Sequence, residues 1–249
     1  MPKYKLTIEF DGTGLVGWQR QDNGMSVQQI IEDACLIFAA HEVRLHVAGR
    51  TDAGVHAFGM VAHFEMEKDI PPNKVLLAIN HHVKPHRVSV VECEYAGEEF
   101  HARFSCLERS YLYRILCRPG RPALEEGRVW WTQRKLDAGA MHDAAQILVG
   151  KHDFSTFRAA QCQANSPLRT LDEISVTQVG EEIHIRVRAR SFLHHQVRNI
   201  VGSLELVGRG NGPNRICKTH WRRETGPKAG RQPRHMGFIL LRRNIERFY

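Results

Sequence analysis

Between positions 4 and 94 the apolar residues switch repeatedly between a period of two and a period near 3.6, and this succession constrains the fold more than any other feature. Tyr4, Leu6, Ile8 and Phe10 fall on one face of a strand, and Lys5, Thr7 and Glu9 on the other. Asp11-Gly12-Thr13-Gly14 ends it as a turn. The period then predicts a helix from Val27 to about Ala40, with Val27, Ile30, Ile31, Ala34, Ile37 and Phe38 as its apolar stripe. Ser26 is its N-cap, and Gln29 completes a capping box. Strands are expected at Arg44 to Ala48 and Met60 to Glu65, then a short helix opened by Pro71-Pro72, then a strand at Arg87 to Glu94. Strand, helix, strand, strand, helix, strand is the order of a split βαβ unit.

The second half repeats the plan. Tyr111 to Cys117 and Val129 to Trp131 read as strands. Asp137 caps a helix holding Met141, Ala144, Ala145 and Leu148, stopped at Gly150. Glu173 to Gln178 and Glu182 to Arg190 read as a hairpin around Gly180-Glu181. In its second strand Ile183, Ile185, Val187 and Ala189 alternate with His184, Arg186, Arg188 and Arg190, which gives one apolar and one basic face. A helix from about Gln196 to Val207 and a strand from Met236 to Arg242 complete the chain. The expected fold class is α+β: two split βαβ units, ferredoxin- or RRM-like, forming a pseudo-symmetric pair with a basic cleft between them. The expected domains are 1–104 and 105–249.

Composition narrows the function. The 249 residues are 42% hydrophobic, enough for packed cores. No apolar run is long enough to cross a bilayer, and Met1-Pro2-Lys3-Tyr4-Lys5 leads straight into the first strand without a secretory segment. A soluble protein of the cytoplasm, with no membrane association, is expected. None of the six cysteines forms a Cys-x-x-Cys pair, so reduced thiols are the default. The fifteen histidines include the neighbours His81-His82 and His194-His195 but no His-Glu-x-x-His motif, and no metal is expected. The formal charge is +8, and from Lys218 to Tyr249 nine basic residues face two acidic ones. A basic surface of that kind suits nucleic acid, although a solvated basic strand and loop would read the same way.

One loop carries candidate chemistry: Gly49-Arg50-Thr51-Asp52-Ala53-Gly54-Val55-His56-Ala57. Two glycines free the backbone for a tight exposed turn, and such loops often carry function. The residues alone leave Asp52 open between turn former and catalyst. Set beside other segments, the loop acquires a context. These are Phe10-Asp11-Gly12-Thr13, Gly17-Trp18-Gln19-Arg20-Gln21, Phe100-His101-Ala102-Arg103-Phe104-Ser105 and Arg109-Ser110-Tyr111-Leu112-Tyr113-Arg114. Further along come Asp153 to Arg158, Gln161-Cys162-Gln163, Pro167 to Thr170, and the run from Phe192 through His194-His195-Gln196-Val197-Arg198 to Gly202. In this order and spacing the chain resembles the TruA-type family of tRNA pseudouridine synthases across nearly its whole length.

The resemblance implies a homodimer with two α/β domains per subunit and a basic cleft, acting on uridines 38, 39 and 40 of the tRNA anticodon arm without a cofactor. It implies Asp52 as the catalytic carboxylate, in the N-terminal domain. Tyr111 would be the active-site aromatic and Arg198 the partner of the carboxylate, both in the C-terminal domain. Arg50 would contact RNA and help guide a flipped base, and Tyr113, one strand repeat from Tyr111, is a secondary candidate. Without the resemblance, Tyr111 reads as a core aromatic, Arg198 as a solvent-exposed helix arginine and Arg50 as a local ion-pair partner.

The chemistry suits these residue types. Pseudouridine formation breaks the bond between ribose C1′ and N1, turns the uracil and joins C5 to C1′. An ionised carboxylate can attack C1′, remove the C2′ proton, or add to uracil C6, and the sequence leaves all three open. A guanidinium keeps such a carboxylate charged when water is excluded. Arg186, Arg188, Arg190, Arg20, Arg103 and Arg158 are candidates for phosphate contacts, which position RNA without reading its sequence. The C-terminal region departs from the family pattern: Asn214 to Arg223 and Gly226 to Gly237 are more basic and carry an apparent insertion. Neutralising Arg231 and Arg234 is expected to weaken tRNA binding and its salt dependence. Two rival readings stand beside the enzyme: an RNA-binding module or chaperone with a dead site, and a glycoside or nucleoside hydrolase, which needs a second carboxylate such as Glu108.

Overall fold

The computed structural model describes residues 1–211 and 238–242. The chain is α+β, with helices laid on sheets that contain both parallel and antiparallel neighbours. It divides into two compact units, Met1–Arg109 with the segment from Ile239, and Ser110–Phe238. Among the described residues no helix is long and apolar enough to cross a membrane.

The first unit is built on β1 (Lys3–Phe10), whose inward residues Tyr4, Leu6, Ile8 and Phe10 are all buried. β1 lies between β3 (His56–Glu65) and β4 (Val88–Tyr95), antiparallel to both. β2 (His46–Val47) pairs antiparallel with the far half of β3, at Ala62 and His63. β11 (Phe238–Arg242) runs parallel to the near half, Ile239 facing His56 and Leu240 facing Ala57. The two share one edge of β3, and the expected strand from Arg44 to Ala48 shortens to two residues. β3 also starts four residues earlier than the Met60 expected from alternation, because Phe10 pairs with Ala57 beyond a bulge in β3 itself, between Ala57 and Met60.

α1 (Val27–Ala39) follows its predicted span. Ser26 Oγ accepts the Gln29 N–H at 3.2 Å, the half of the capping box that satisfies a helix donor. Two more N-terminal donors are taken by the preceding chain: Val27 N–H reaches the Gly17 carbonyl at 3.1 Å and Gln28 N–H the Trp18 carbonyl at 3.0 Å. Glu32, buried in α1, is satisfied by Gln28 Nε2 at 2.8 Å and Leu45 N–H at 3.0 Å. α2 (Pro72–His82) begins with proline in the first turn, where a missing N–H costs nothing.

In the second unit β5 (Arg109–Cys117), β10 (Glu182–Ala189) and β9 (Glu173–Val179) are neighbours in that order, and β6 (Trp130–Thr132) runs parallel along β5. The hairpin of β9 and β10 turns at Gly180, whose φ of 59° favours glycine. The two faces of β10 separate as the alternation predicts: Ile183, Ile185, Val187 and Ala189 are buried, while Arg186, Arg188 and the following Arg190 are exposed. α3 (Ala138–Gln146) is capped by Asp137, which accepts from Ala140 N–H at 2.9 Å. The helix ends before Gly150, which instead opens β7 (Gly150–Asp153), paired antiparallel with β8 (Leu168–Leu171). α4 (Gln196–Leu206) is buried from Gln196 to Glu205 and so has no solvent face in its first ten residues.

Candidate active site

In the first unit, the loop between β2 and β3 holds Asp52 half-exposed and Arg50 exposed. Its path is fixed from beneath by the turn after β1. Trp18, itself buried, donates its backbone N–H to the Thr51 carbonyl at 3.0 Å, and Gly17 forms an isolated antiparallel bridge with Asp52. Val55 N–H returns to the Asp52 carbonyl at 3.2 Å, closing a tight turn in which Gly54 has φ 72°. The approach leaves no room for side chains below. A Cβ on Gly17 would stand 2.5 Å from the Thr51 carbonyl oxygen, and one on Gly12 2.2 Å from that of Val55. At the loop's start, Arg109 donates from Nη2 to the Ala48 carbonyl at 2.5 Å.

The far end of the loop is held by Asp11 and His56. Asp11 Oδ1 lies 3.0 Å from His56 Nδ1 and accepts from Thr13 N–H at 3.0 Å and Thr13 Oγ1 at 2.6 Å; Oδ2 accepts from Arg87 at 3.1 Å. His56 is buried.

In the second unit Tyr111 is buried and meets Phe192 edge-on, ring centroids 5.2 Å apart. Tyr113 is buried on the same strand, and Trp130 lies against it at 6.2 Å. Burial raises the Tyr113 hydroxyl above its ordinary pKa, and the positive charge of Arg198 opposes that rise. Arg198 therefore stands in the electrostatic neighbourhood of this tyrosine. It is only 4% exposed, in the first turn of α4. The segment before α4 is tightly tied: Leu193 N–H reaches Gln196 Oε1 at 2.8 Å, and Ala159 N–H reaches the His194 carbonyl at 3.0 Å. Asn199 Nδ2 donates to the Phe157 carbonyl at 2.8 Å. His195 adopts a left-handed φ of 61° to start the helix, with its ring 4.0 Å from that of His194.

A family model for tRNA pseudouridine synthase matches residues 6–105 and 144–238, more than half of the chain. A tRNA pseudouridine synthase A from Rhodospirillum centenum is 55% identical over 233 residues, covering 92% of this chain and 95% of the relative. One from Paramagnetospirillum magneticum is 53% identical over 237 residues, 92% of this chain and 93% of its own. Another, from Beijerinckia indica, is 56% identical over 210 residues, 84% of this chain and 81% of its own.

The chain belongs to the TruA-type tRNA pseudouridine synthase family. In this pseudouridine synthase the candidate residues divide between the two units: Arg20, Arg50, Asp52 and Arg103 in the first, Tyr111, Arg158, Arg186, Arg188, Arg190 and Arg198 in the second. Several candidate cations also serve the fold. Arg20 contacts Asp33 at 3.4 Å, Arg158 donates to the Cys162 carbonyl at 2.9 Å, and Arg188 pairs across the hairpin with Glu173 at 3.1 Å. Arg50, Arg103 and Arg186 are exposed. Arg231 and Arg234 lie outside the described residues.

Of the residues that together hold the Asp52 loop, the sequence marks Asp11 and Gly12 only as part of a turn and gives no role to Gly17, His56 or Arg109. The signal was present, since all five lie in the segments that carry the family resemblance. What was missing was the knowledge that β1's exit runs directly under the loop.

Proposed function

We propose that this synthase converts uridine to pseudouridine in the anticodon stem-loop of tRNA, at positions 38 to 40, through the Asp52 carboxylate acting on a flipped nucleotide. The observation that carries the reading is the loop itself. Asp52 is half-exposed on a turn whose backbone is pinned on the side of Gly17 and Trp18, so its carboxylate is presented from a rigid support.

The reaction needs four services from the protein. A uridine in the stem must leave the stack, at a cost of a few kcal/mol. Arg50, exposed two residues before Asp52, is suited to hold the displaced backbone or fill the vacancy. Tyr111 offers the uracil a flat face, and stacking on an aromatic is worth roughly 1–3 kcal/mol per base. Asp52 then acts at the ribose or the uracil as nucleophile or base; the C1′–N1 bond breaks, the base turns, and C5 bonds to C1′. Arg198 keeps the carboxylate ionised and aimed once water has left. The isomerisation is redox-neutral, so these steps call on no cofactor.

In this reading the two units are a pair of split βαβ folds with a basic cleft between them, the catalytic loop in the domain of residues 1–104 and the tyrosine and arginine in that of 105–249. The protein works in the cytoplasm as a homodimer, with Arg20, Arg103, Arg158, Arg186, Arg188, Arg190, Arg231 and Arg234 on the phosphates. Supporting this is the first unit's strand order, with β1 between β3 and β4 and β2 beyond β3, which is the split βαβ arrangement.

The test is incubation with unmodified tRNA and site mapping of pseudouridine, with Asp52→Asn in parallel. The parent is expected to modify the anticodon arm. The variant is expected to bind tRNA and make no product. Turnover by the variant would remove Asp52 from its role, and release of free uracil would point to a hydrolase.

A further inference from the structure

Asp11 and His56 are neither among the residues proposed to act on the uridine nor among the arginines proposed for the phosphates, yet the structure invests several interactions in them. Asp11 follows the last residue of β1, and its backbone N–H donates to the Arg87 carbonyl at 2.9 Å. Its carboxylate is 10% exposed and gathers Thr13, Arg87 and His56. His56 is the first residue of β3 and directly follows Val55, whose N–H closes the Asp52 turn. The two side chains therefore join the end of one strand to the start of its neighbour, four residues from Asp52.

The position of one proton decides how this junction works. His56 Nδ1 lies 3.0 Å from Asp11 Oδ1, and the Gly12 backbone N–H is directed at it at 3.2 Å. A ring nitrogen has one in-plane site, so it donates to the carboxylate or accepts from the amide, not both. A bare lone pair 3.0 Å from a carboxylate oxygen is repulsive, whereas an N–H there makes a charge-assisted hydrogen bond. Of the two, the charge-assisted bond to the carboxylate is the stronger.

We infer that Asp11 and His56 form a positioning pair that fixes, through an Nδ1–H···Oδ1 hydrogen bond, the height at which the Asp52 turn stands on the first unit. The pair touches no substrate. It acts through the three residues between Asp52 and His56, and its loss lets the end of the loop swing on Val55. The opposite end keeps its own anchors, Trp18 to Thr51 and Arg109 to Ala48, so the loop stays folded while its carboxylate shifts. The inference rests on the assignment of Asp52 as the catalytic group.

The experiment measures single-turnover pseudouridine formation, tRNA affinity and thermal unfolding for Asp11→Ala, His56→Ala, His56→Asn and His56→Gln, with Asp52→Asn as the reference. A carboxylate displaced by about 1 Å costs on the order of 10²-fold in rate, so both alanine variants are expected to lose about that in kcat with tRNA affinity unchanged. Asparagine places an amide N–H where Nδ1–H stood, whereas glutamine places one where Nε2 stood. His56→Asn is therefore expected to regain most of the rate, and His56→Gln little. A generic structural role would not separate these two. Parental turnover by His56→Ala overturns the pair, as does His56→Asn falling as far as His56→Gln, or tRNA affinity falling in step with kcat. Should the alanine variants fail to fold, the asparagine and glutamine variants still decide. Activity in Asp52→Asn would instead overturn the catalytic assignment and the inference with it.

Discussion

Trp18 gives its backbone N–H to the Thr51 carbonyl, and one residue away Gly17 bridges Asp52, so the chain leaving β1 forms the floor of the candidate catalytic loop. Two segments far apart in sequence make a single object. This explains the glycines: the floor works only if the backbones can touch.

Gly17→Ala tests that contact. Gly17 has φ 108°, and a Cβ would sit 2.5 Å from one loop carbonyl oxygen and 2.9 Å from the Asp52 carbonyl carbon. Both clashes are with backbone, so no side chain can swing away to relieve them. Strain of this kind costs about 1–3 kcal/mol, and relief requires the loop to lift. The expected outcome is a lower urea midpoint together with a fall in pseudouridine formation larger than the loss of stability explains. Activity at the parental level would show that the loop is not pinned from below.

Acid sensitivity should trace to His63. The ring is buried on β3, stacks on His46 at 5.0 Å, meets His101 edge-on at 4.7 Å, and accepts the Ala102 N–H on Nδ1 at 3.1 Å. Burial first, then the neighbouring His101, His46 and Lys3, lower its pKa from 6.5 to about 3. His101 is lowered as well, again by burial first. The folded protein keeps His63 neutral, while the unfolded chain binds a proton below pH 6.5. Its contribution is complete above that pH and is lost as the pH falls from 6.5 towards 3. Urea unfolding across this window should show stability declining in the parent. In His63→Asn, which retains an acceptor but does not titrate, the decline should be shallower; parallel curves would contradict the assignment.

How far the chain was legible follows from where its polarity alternates. β1 and the hairpin of β9 and β10 each have one buried and one wet face recoverable from period alone; for α1 the period gives the span, but of the expected stripe Ile37 is 61% exposed and Phe38 only half-buried, while Cys35 and Ala39 are buried instead. β7 and β8 are four residues each, too short for a period to emerge, and their pairing rests on the fold around them. Read from the residues alone, without the family resemblance, Arg198 is a solvent-exposed helix position, whereas it is buried, and the reason is different. α4 is buried from Gln196 to Glu205, so polar and apolar positions carry no information about direction. Asp52 could be found as a candidate from its glycine-bounded loop. The Asp11–His56 junction could not, because it depends on the register in which β1 meets β3.

In the second unit Arg114 is the hub of an ion-pair network. Its Nε and Nη2 meet the two oxygens of Glu182 at 2.8 and 2.7 Å, and Nη1 meets Glu125 at 2.7 Å. The Arg114 hydrogen bond holds the Glu182 carboxyl below its ordinary pKa against the opposing effect of burial. Arg114→Ala is expected to cost about 1–3 kcal/mol near neutral pH, as for hydrogen bonds to charged groups. A lowered carboxyl pKa contributes above the unfolded value of 4.5 and is lost as pH falls below it, so the gap between parent and variant should narrow in acid. Arg114→Lys cannot restore the fork and should recover only part. A gap that stays constant through acid pH would exclude the ion pair as its source.

Arg198 separates folding from function most sharply. A guanidinium only 4% exposed is expensive to bury, and an apolar side chain of similar length would serve packing at least as well. If the cation were there for stability, Arg198→Met would destabilise the protein. If it is there to hold the Asp52 carboxylate ionised, the methionine variant should unfold at the same temperature or higher, keep its tRNA affinity, and lose about 10²–10³-fold in the single-turnover rate, the scale seen when one preorganised charge-stabilising donor is removed. Arg198→Lys restores the charge without the planar fork and should fall between the two. The deciding comparison is therefore the sign of the stability change against the size of the rate change. A methionine variant that is destabilised yet turns over at the parental rate would return Arg198 to the core and leave the carboxylate in need of another partner.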